Sequence, residues 1–216
     1  MKIIAEDLKT KFGKQILIDE KLSNYSWFNL GGTADIFFKP ESIKDIISLL
    51  EKLKPQKFTI LGAGSNTLIR DGGIKGITVK LSSAFSYIKL DSTNIVEVGA
   101  ATADKKVADF AMENSLSGME FLACIPGSIG GAVKMNTGCY GDDISQILHS
   151  INVIDTQGNL KEILAQDVQF SYRSTNLKEN LLITSVKLKG TYCLKNNIEE
   201  KQKAMIERKK NSQPSQ

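Results

Sequence analysis

The sequence predicts an α+β chain of two lobes. One amphipathic helical repeat set between short apolar runs marks a small α/β lobe up to residue 81, and short alternating runs from residue 87 to 188 mark a strand-rich, mostly antiparallel one. A third observation, a glycine cluster in each lobe at Gly62–Gly64 and Gly127–Gly131, places a tight backbone turn where each lobe could meet a ligand.

In the first lobe, Ser42 is a cap for a helix whose apolar residues Ile43, Ile46, Ile47 and Leu50 recur at helical spacing and whose end falls before Pro55. The strand Phe58–Leu61 follows, and with the runs Ala34–Phe38 and Ile77–Leu81 it completes a lobe from about Tyr25 to Leu81. The second lobe opens with strands Tyr87–Leu90 and Ile95–Val98. A helix from Thr102 then carries Ala103, Val107, Phe110 and Ala111 on one face and stops over Asn114–Gly118. After the second glycine cluster come a helix over Ala132–Asn136 and strands His149–Ile154 and Leu160–Leu164, joined across Asp155-Thr156-Gln157-Gly158. Leu181–Leu188 is the last strand. Asn197–Lys210 reads as a charge-dense, solvated helix with Ile198, Met205 and Ile206 as its few apolar anchors. The division expected is 1–81, 82–196 and a helix at 197–216 leading toward a further, substrate-binding domain.

Composition excludes several classes. At 216 residues and 41% hydrophobic the chain can bury a core. No stretch approaches the roughly 20 apolar residues of a membrane span, and Met1–Lys14 has no apolar signal segment, so a cytoplasmic location is expected. A net charge of +4, with both signs interspersed, gives no support to nucleic-acid binding. Cys124, Cys139 and Cys193 are odd in number and show no CxxC pairing, so neither a disulfide framework nor a metal site is expected. His149, the single histidine, has no neighbours in sequence for a triad and reads as structural.

The glycine clusters are the candidate site. In LSGMEFLACIPGSIGGAVKMNTGCYG, Gly127, Gly130 and Gly131 allow close backbone approach, while Ser128 and the N–H groups opening a helix suit a phosphate. Upstream, a strand runs into Gly62, Gly64, Ser65 and Asn66. Two cradles, each with Ser or Asn donors, favour a dinucleotide over two plain turns. A Walker loop is excluded, because no Lys-Ser or Lys-Thr pair follows Gly62 at the needed spacing. A Rossmann fingerprint is excluded as well: Gly62-Ala63-Gly64-Ser65-Asn66-Thr67 puts threonine at the third glycine position, and a turn follows instead of a helix.

Five ordered motifs resemble those of the UDP-N-acetylenolpyruvoylglucosamine reductases, the MurB flavoenzymes of peptidoglycan synthesis, over nearly the whole chain. They are NYSWFNLGGTAD (Asn24–Asp35), LGAGSNTLIRDGGIKG (Leu61–Gly76), the Leu116–Gly141 run, FSYRST (Phe170–Thr175) and RKKNSQP. The resemblance implies a two-lobed FAD-binding fold of the vanillyl-alcohol oxidase and p-cresol methylhydroxylase type, non-covalent FAD, NADPH as reductant and a UDP-sugar enolpyruvate as substrate. It further implies a cofactor site of Leu61, Gly62, Ala63, Gly64, Ser65, Asn66 and Thr67 with Ile125, Pro126, Gly127, Ser128, Gly130 and Gly131, the diphosphate lying between Gly62–Thr67 and Pro126–Gly131. Asn136 and Gly138 would lie by the flavin, Arg173 would be catalytic, and Tyr172 and Arg173 would bind substrate. Cys124 and Cys139 depart from the small residues frequent at those positions. The motif whose serine protonates the intermediate does not occur in these residues, so the chain as given is expected to hold flavin without completing turnover. A non-catalytic FAD or nucleotide module and a related flavin oxidase are the alternatives.

Overall fold

The computed structural model describes residues 2–53 and 58–213. Helix α1 (Lys2–Phe12) is followed by β1 (Ile16–Lys21), β2 (Thr33–Phe38), α2 (Ile43–Leu53), β3 (Phe58–Ile60) and β4 (Ile74–Val79). The strands form a sheet in the order β1-β2-β4-β3, with β1 antiparallel to β2 and the other pairs parallel. Strand β4 begins at Ile74, three residues before the expected Ile77, because pairing with Ala34 extends the ladder across the polar Lys75 and Gly76.

Ser42 caps α2 as expected, its Oγ accepting the Asp45 N–H at 3.1 Å; the expected stop before Pro55 lies outside the described residues. Ile46, Leu49 and Leu50 pack with Leu8 and Phe12 of α1 against Ile36, Phe38, Ile77 and Val79 of the sheet. Helix α1 and strand β1 escaped the sequence reading, because Lys, Asp and Glu interrupt their apolar residues. They are nonetheless closed on the core by Leu8 and Ile16, both essentially fully buried.

The second lobe contains β5 (Ile88–Leu90), β6 (Ile95–Gly99), α3 (Asp104–Glu113), β7 (Leu116–Ser117), a 3₁₀ turn at Glu120–Cys124 and α4 (Ile129–Lys134). Next come the ribbon of β8 (Gly138–Cys139) and β9 (Asp142–Asp143), then β10 (Leu148–Ile154), β11 (Leu160–Leu164), the hairpin of β12 (Phe170–Ser171) and β13 (Ser174–Thr175), β14 (Leu182–Lys189), β15 (Thr191–Tyr192) and α5 (Lys195–Ser212). The large sheet runs β11-β10-β14-β6-β5, antiparallel throughout. The hairpin between β10 and β11 turns at Gly158, whose φ of +87° is a conformation that favours glycine.

One expectation needs correction and a second is extended. Helix α4 starts at Ile129, not Ala132, because Ser128 is already its cap and the two glycines are taken into the first turn. Helix α5 (Lys195–Ser212) keeps the expected anchors and a largely exposed surface, but it is also tied to the core by polar residues. Ile198, Gln202 and Met205 are buried, and Lys209 Nζ donates to Cys124 O at 2.7 Å, so α5 is fastened to the 3₁₀ turn that leads into the second glycine cluster.

Candidate functional site: a cleft between two glycine loops

A parallel pair of strands needs a crossover of about a dozen residues. Between β3 and β4 that crossover is the first glycine loop, and nothing helical fills it. The loop is held from behind by the Asn24–Asp35 motif: Trp27 N–H donates to Gly64 O at 3.1 Å, Ser26 Oγ to Thr67 O at 3.3 Å and Gly32 N–H to Arg70 O at 3.0 Å. At Gly64, with φ +74°, a Cβ would collide with Tyr25 O. The glycine therefore serves the brace behind the loop rather than a ligand in front.

The second loop faces the first. A Cβ on Gly62 would come 3.3 Å from Ser128 Oγ, while one on Gly131 would meet nothing closer than 3.8 Å, so Gly131 borders open space. The two loops form the waist of a cleft with two chambers of about 650 and 690 Å³. Gly62, Ala63, Gly127, Ser128 and Gly131 line both chambers. Leu61 and Gly130 line the first, and Gly64, Ser65, Asn66, Thr67, Ile125, Pro126 and Gly138 the second. Two chambers joined by a waist of small residues suit an extended, two-headed ligand.

The structure redistributes the expected donors. In α4 the Ile129 N–H goes to Thr102 O at 2.9 Å and the Gly130 N–H to Ala100 O at 3.0 Å, so these two amides close the lobe and do not face a ligand. A Cβ on Gly130 would lie 3.0 Å from the Ala100 Cβ. Gly130 is there for contact between helix and strand, and Gly131 is the position that fronts the cleft.

Asn136 lines neither chamber. Its side chain is spent on the protein, donating to Ser171 O at 3.2 Å and accepting from Ser145 N–H at 3.1 Å, at a left-handed φ of +41°. It ties the end of α4 to the β12–β13 hairpin. At the tip of that hairpin Arg173 has φ +57° and reaches the second chamber, whereas Tyr172 is 89% exposed and does not line it. A strained, non-glycine turn residue at the lip of a cleft is a common mark of a working position.

Among the charged residues of the cleft that went unread in the sequence are Lys80, Lys134 and Asp104. Lys80, from the end of β4, donates to Gly62 O, and burial, with Lys39 nearby, lowers its pKa. Lys134, at the last turn of α4, lines both chambers and donates to Leu177 O; burial lowers its pKa too, against the opposing pull of Glu179. Asp104 is 1% exposed and neither carboxyl oxygen has a hydrogen-bond partner among the described residues. Burial raises its pKa to about 8. A Cβ on Gly127 would lie 2.5 Å from Asp104 Oδ2, which is why that position is glycine.

Cys124 and Cys139 both line the second chamber. Cys139 donates to Phe121 O at 3.5 Å and touches Cys124; burial, chiefly, pushes Cys139 up to about 12 and raises Cys124 as well. Protonated thiols are poor nucleophiles and do not invite a covalent flavin link. His149 is exposed on β10 and lines neither chamber. Among the described residues no group of three or more metal-ligating side chains exists.

Comparison with known proteins bears on the family and the fold. The FAD binding domain family model matches residues 34–164. UDP-N-acetylenolpyruvoylglucosamine reductase of Pelagibacter ubique is 42% identical over 95% of this chain and 68% of its own length, and that of a Wolbachia strain from Drosophila simulans is 40% identical over 91% and 66%. The chain belongs to the UDP-N-acetylenolpyruvoylglucosamine reductase family. It spans about two thirds of the length of these relatives. The crystal structure of the Thermus caldophilus reductase superposes with a TM-score of 0.80 at 27% identity, covering 93% of this chain and 70% of that one. The BBE-like 1 variant of Physcomitrella patens, at 13% identity and TM-score 0.60, shares the fold alone. The fold is thus the FAD-binding fold of the vanillyl-alcohol oxidase type, and the cofactor of the family is FAD.

Proposed function

We propose that this chain holds FAD non-covalently and works in the NADPH-dependent reduction of UDP-N-acetylglucosamine enolpyruvate to UDP-N-acetylmuramate, a peptidoglycan precursor, in the cytoplasm. Bound in the cleft, FAD supplies the two-electron relay between reductant and enolpyruvyl double bond. The glycine loops would hold its diphosphate at the waist, Gly131 and Ser128 from one side and Gly62 to Thr67 from the other. Small side chains at the waist leave room for phosphate oxygens, and the two chambers separate the heads of the cofactor.

The observation that carries the reading is Arg173, presented in a left-handed turn at the chamber that also receives Gly138 and the second glycine loop. Hydride addition to an enolpyruvyl group builds negative charge beside a carboxylate, and a preorganised cation there lowers the barrier. Asn136 braces the hairpin through Ser171 O, and the guanidinium rests over the Tyr172 ring, 5.5 Å from its centroid.

Stopped-flow absorbance separates loss of flavin colour on adding NADPH from its recovery on adding the enolpyruvyl sugar. In a version extended to the full length of the curated relatives, Arg173→Lys keeps the charge but loses the planar fork, and should slow recovery about 100-fold while leaving the first phase nearly unchanged. Equal slowing of both phases would remove Arg173 from the sugar-reducing step.

A further inference from the structure

Burying an ammonium is costly unless an anion or a full set of acceptors meets it. Most paired lysines in this chain sit on the surface: Lys52 with Asp7, Lys105 with Asp109, Lys161 with Asp155 and Lys203 with Glu199. Lys80 and Lys134 differ. Both are half-buried, and each donates to a backbone carbonyl. Among the described residues neither forms a salt bridge, and both line the cleft.

Their placement follows the glycine loops. Lys80 reaches back from the end of β4 to the carbonyl of Gly62, the first residue of the first loop's turn. Lys134 lies one helical turn beyond Gly130 and Gly131 and lines both chambers. Lys80 thus stands beside the first loop in the first chamber, and Lys134 beside the second loop where the two chambers meet. Glu179 lines the first chamber and partly offsets Lys134, leaving an excess of positive charge in the chamber that Lys80 and Lys134 share.

We infer that Lys80 and Lys134 are the counter-charges for the FAD diphosphate, one supplied with each glycine loop, so that the site recognises the diphosphate by charge as well as by backbone dipoles. This rests on the reading of the cleft as the FAD site. Two of the helix amides that would otherwise neutralise a phosphate are bonded to Ala100 and Thr102, which leaves a need for cations from elsewhere. The desolvation that lowers both lysine pKa values is relieved when a dianion enters, so binding should hold both ammonium groups protonated.

The test uses flavin-free chain and three probes: FAD, ADP, which carries the diphosphate without flavin, and riboflavin, which carries flavin without phosphate. Binding is measured by calorimetry at low and high salt, with Lys80→Met, Lys134→Met and the charge-preserving Lys80→Arg and Lys134→Arg. Hydrogen bonds to charged groups being the stronger kind, each methionine variant should bind FAD and ADP about ten-fold or more weakly and riboflavin unchanged. The arginine variants should recover most of the loss, and the salt dependence of FAD binding should diminish when a lysine is removed. Loss of riboflavin and FAD binding in parallel, or methionine variants that bind FAD like the parent, would overturn the assignment. Failure of the parent chain to bind FAD or ADP at all would instead overturn the reading of the cleft. Melting of the variants without ligand distinguishes lost contact from lost fold.

Discussion

Asp104→Asn should change how stability depends on pH, and the expected size follows from where the carboxyl sits. Asp104 occupies the first turn of α3, where the helix dipole favours a negative charge by up to about 2 kcal/mol. Burial opposes this and wins. Neither oxygen has a hydrogen-bond partner among the described residues, and the pKa rises from 3.8 to about 8. At about 1.36 kcal/mol for each unit, the fold disfavours ionised Asp104 by about 6 kcal/mol relative to the unfolded chain. A raised folded-state pKa means the unfolded chain loses its proton first. Stability is therefore full below about pH 4, falls by up to about 1.4 kcal/mol for each pH unit, and levels off above about pH 8; about 4 kcal/mol is gone at pH 7. Asparagine cannot ionise, so the variant should lack this slope. The assay is urea unfolding of the flavin-free chain and its Asp104→Asn variant, pH 4.5 to 9, followed by far-UV circular dichroism. The difference in unfolding free energy between variant and parent should climb with pH and reach a plateau near 8. A difference that does not vary with pH would mean the carboxyl is ionised in the fold, and the account of its burial would fail.

Other outcomes follow from the same packing. Gly131→Val should lower FAD affinity by more than ten-fold with little change in the melting temperature of the flavin-free chain, because its side chain would enter the cleft. Gly130→Val should instead lower the melting temperature, since it would press on Ala100 Cβ and O at 3.0 and 3.1 Å; identical effects of the two on affinity and melting would sink the distinction. Glu120, 2% exposed, accepts from Ser117 Oγ at 2.6 Å and Gly118 N–H at 2.9 Å and pairs with Lys201 at 3.5 Å. Glu120→Ala should cost about 3 kcal/mol or more in urea unfolding, and a cost below about 1 kcal/mol would show the network to be slack.

Elements with clean periodicity were readable. Helix α2 and strands β2 and β3 have apolar residues spaced by their own geometry, and Ser42 announces the helix start. The glycine loops were readable because few core segments need so many small residues. What each glycine does was not: Gly64 answers to Tyr25 and Gly130 to Ala100, contacts made across 39 and 30 residues of chain that no local pattern encodes. Helix α4 was placed late for a related reason. Gly-Gly reads as a breaker until a cap and a neighbouring strand are seen to hold it. Lys80 stands 18 residues beyond Gly62 and looks like any strand-end lysine until the parallel pairing of β3 and β4 returns it to the loop. Tyr172 and Asn136 line neither chamber, for different reasons. At the hairpin tip Arg173 borders the second chamber with its guanidinium over the exposed Tyr172 ring, 5.5 Å from the centroid, while Asn136 spends its amide on the scaffold.

The brace behind the first glycine loop bears on the entropy of binding. Flexible phosphate loops are often ordered by their ligand, and the freedom lost is charged against affinity. Here the Gly64, Thr67 and Arg70 carbonyls are already engaged by Trp27, Ser26 and Gly32, and interlocking glycines leave the loop no room to shift toward its support. Its conformation is settled when the chain folds, far in advance of any ligand. Cofactor capture then costs chiefly the immobilisation of the cofactor itself. The Asn24–Asp35 segment, none of whose residues lines either chamber, thereby acts on affinity from behind the loop, by removing the alternatives the loop would otherwise sample.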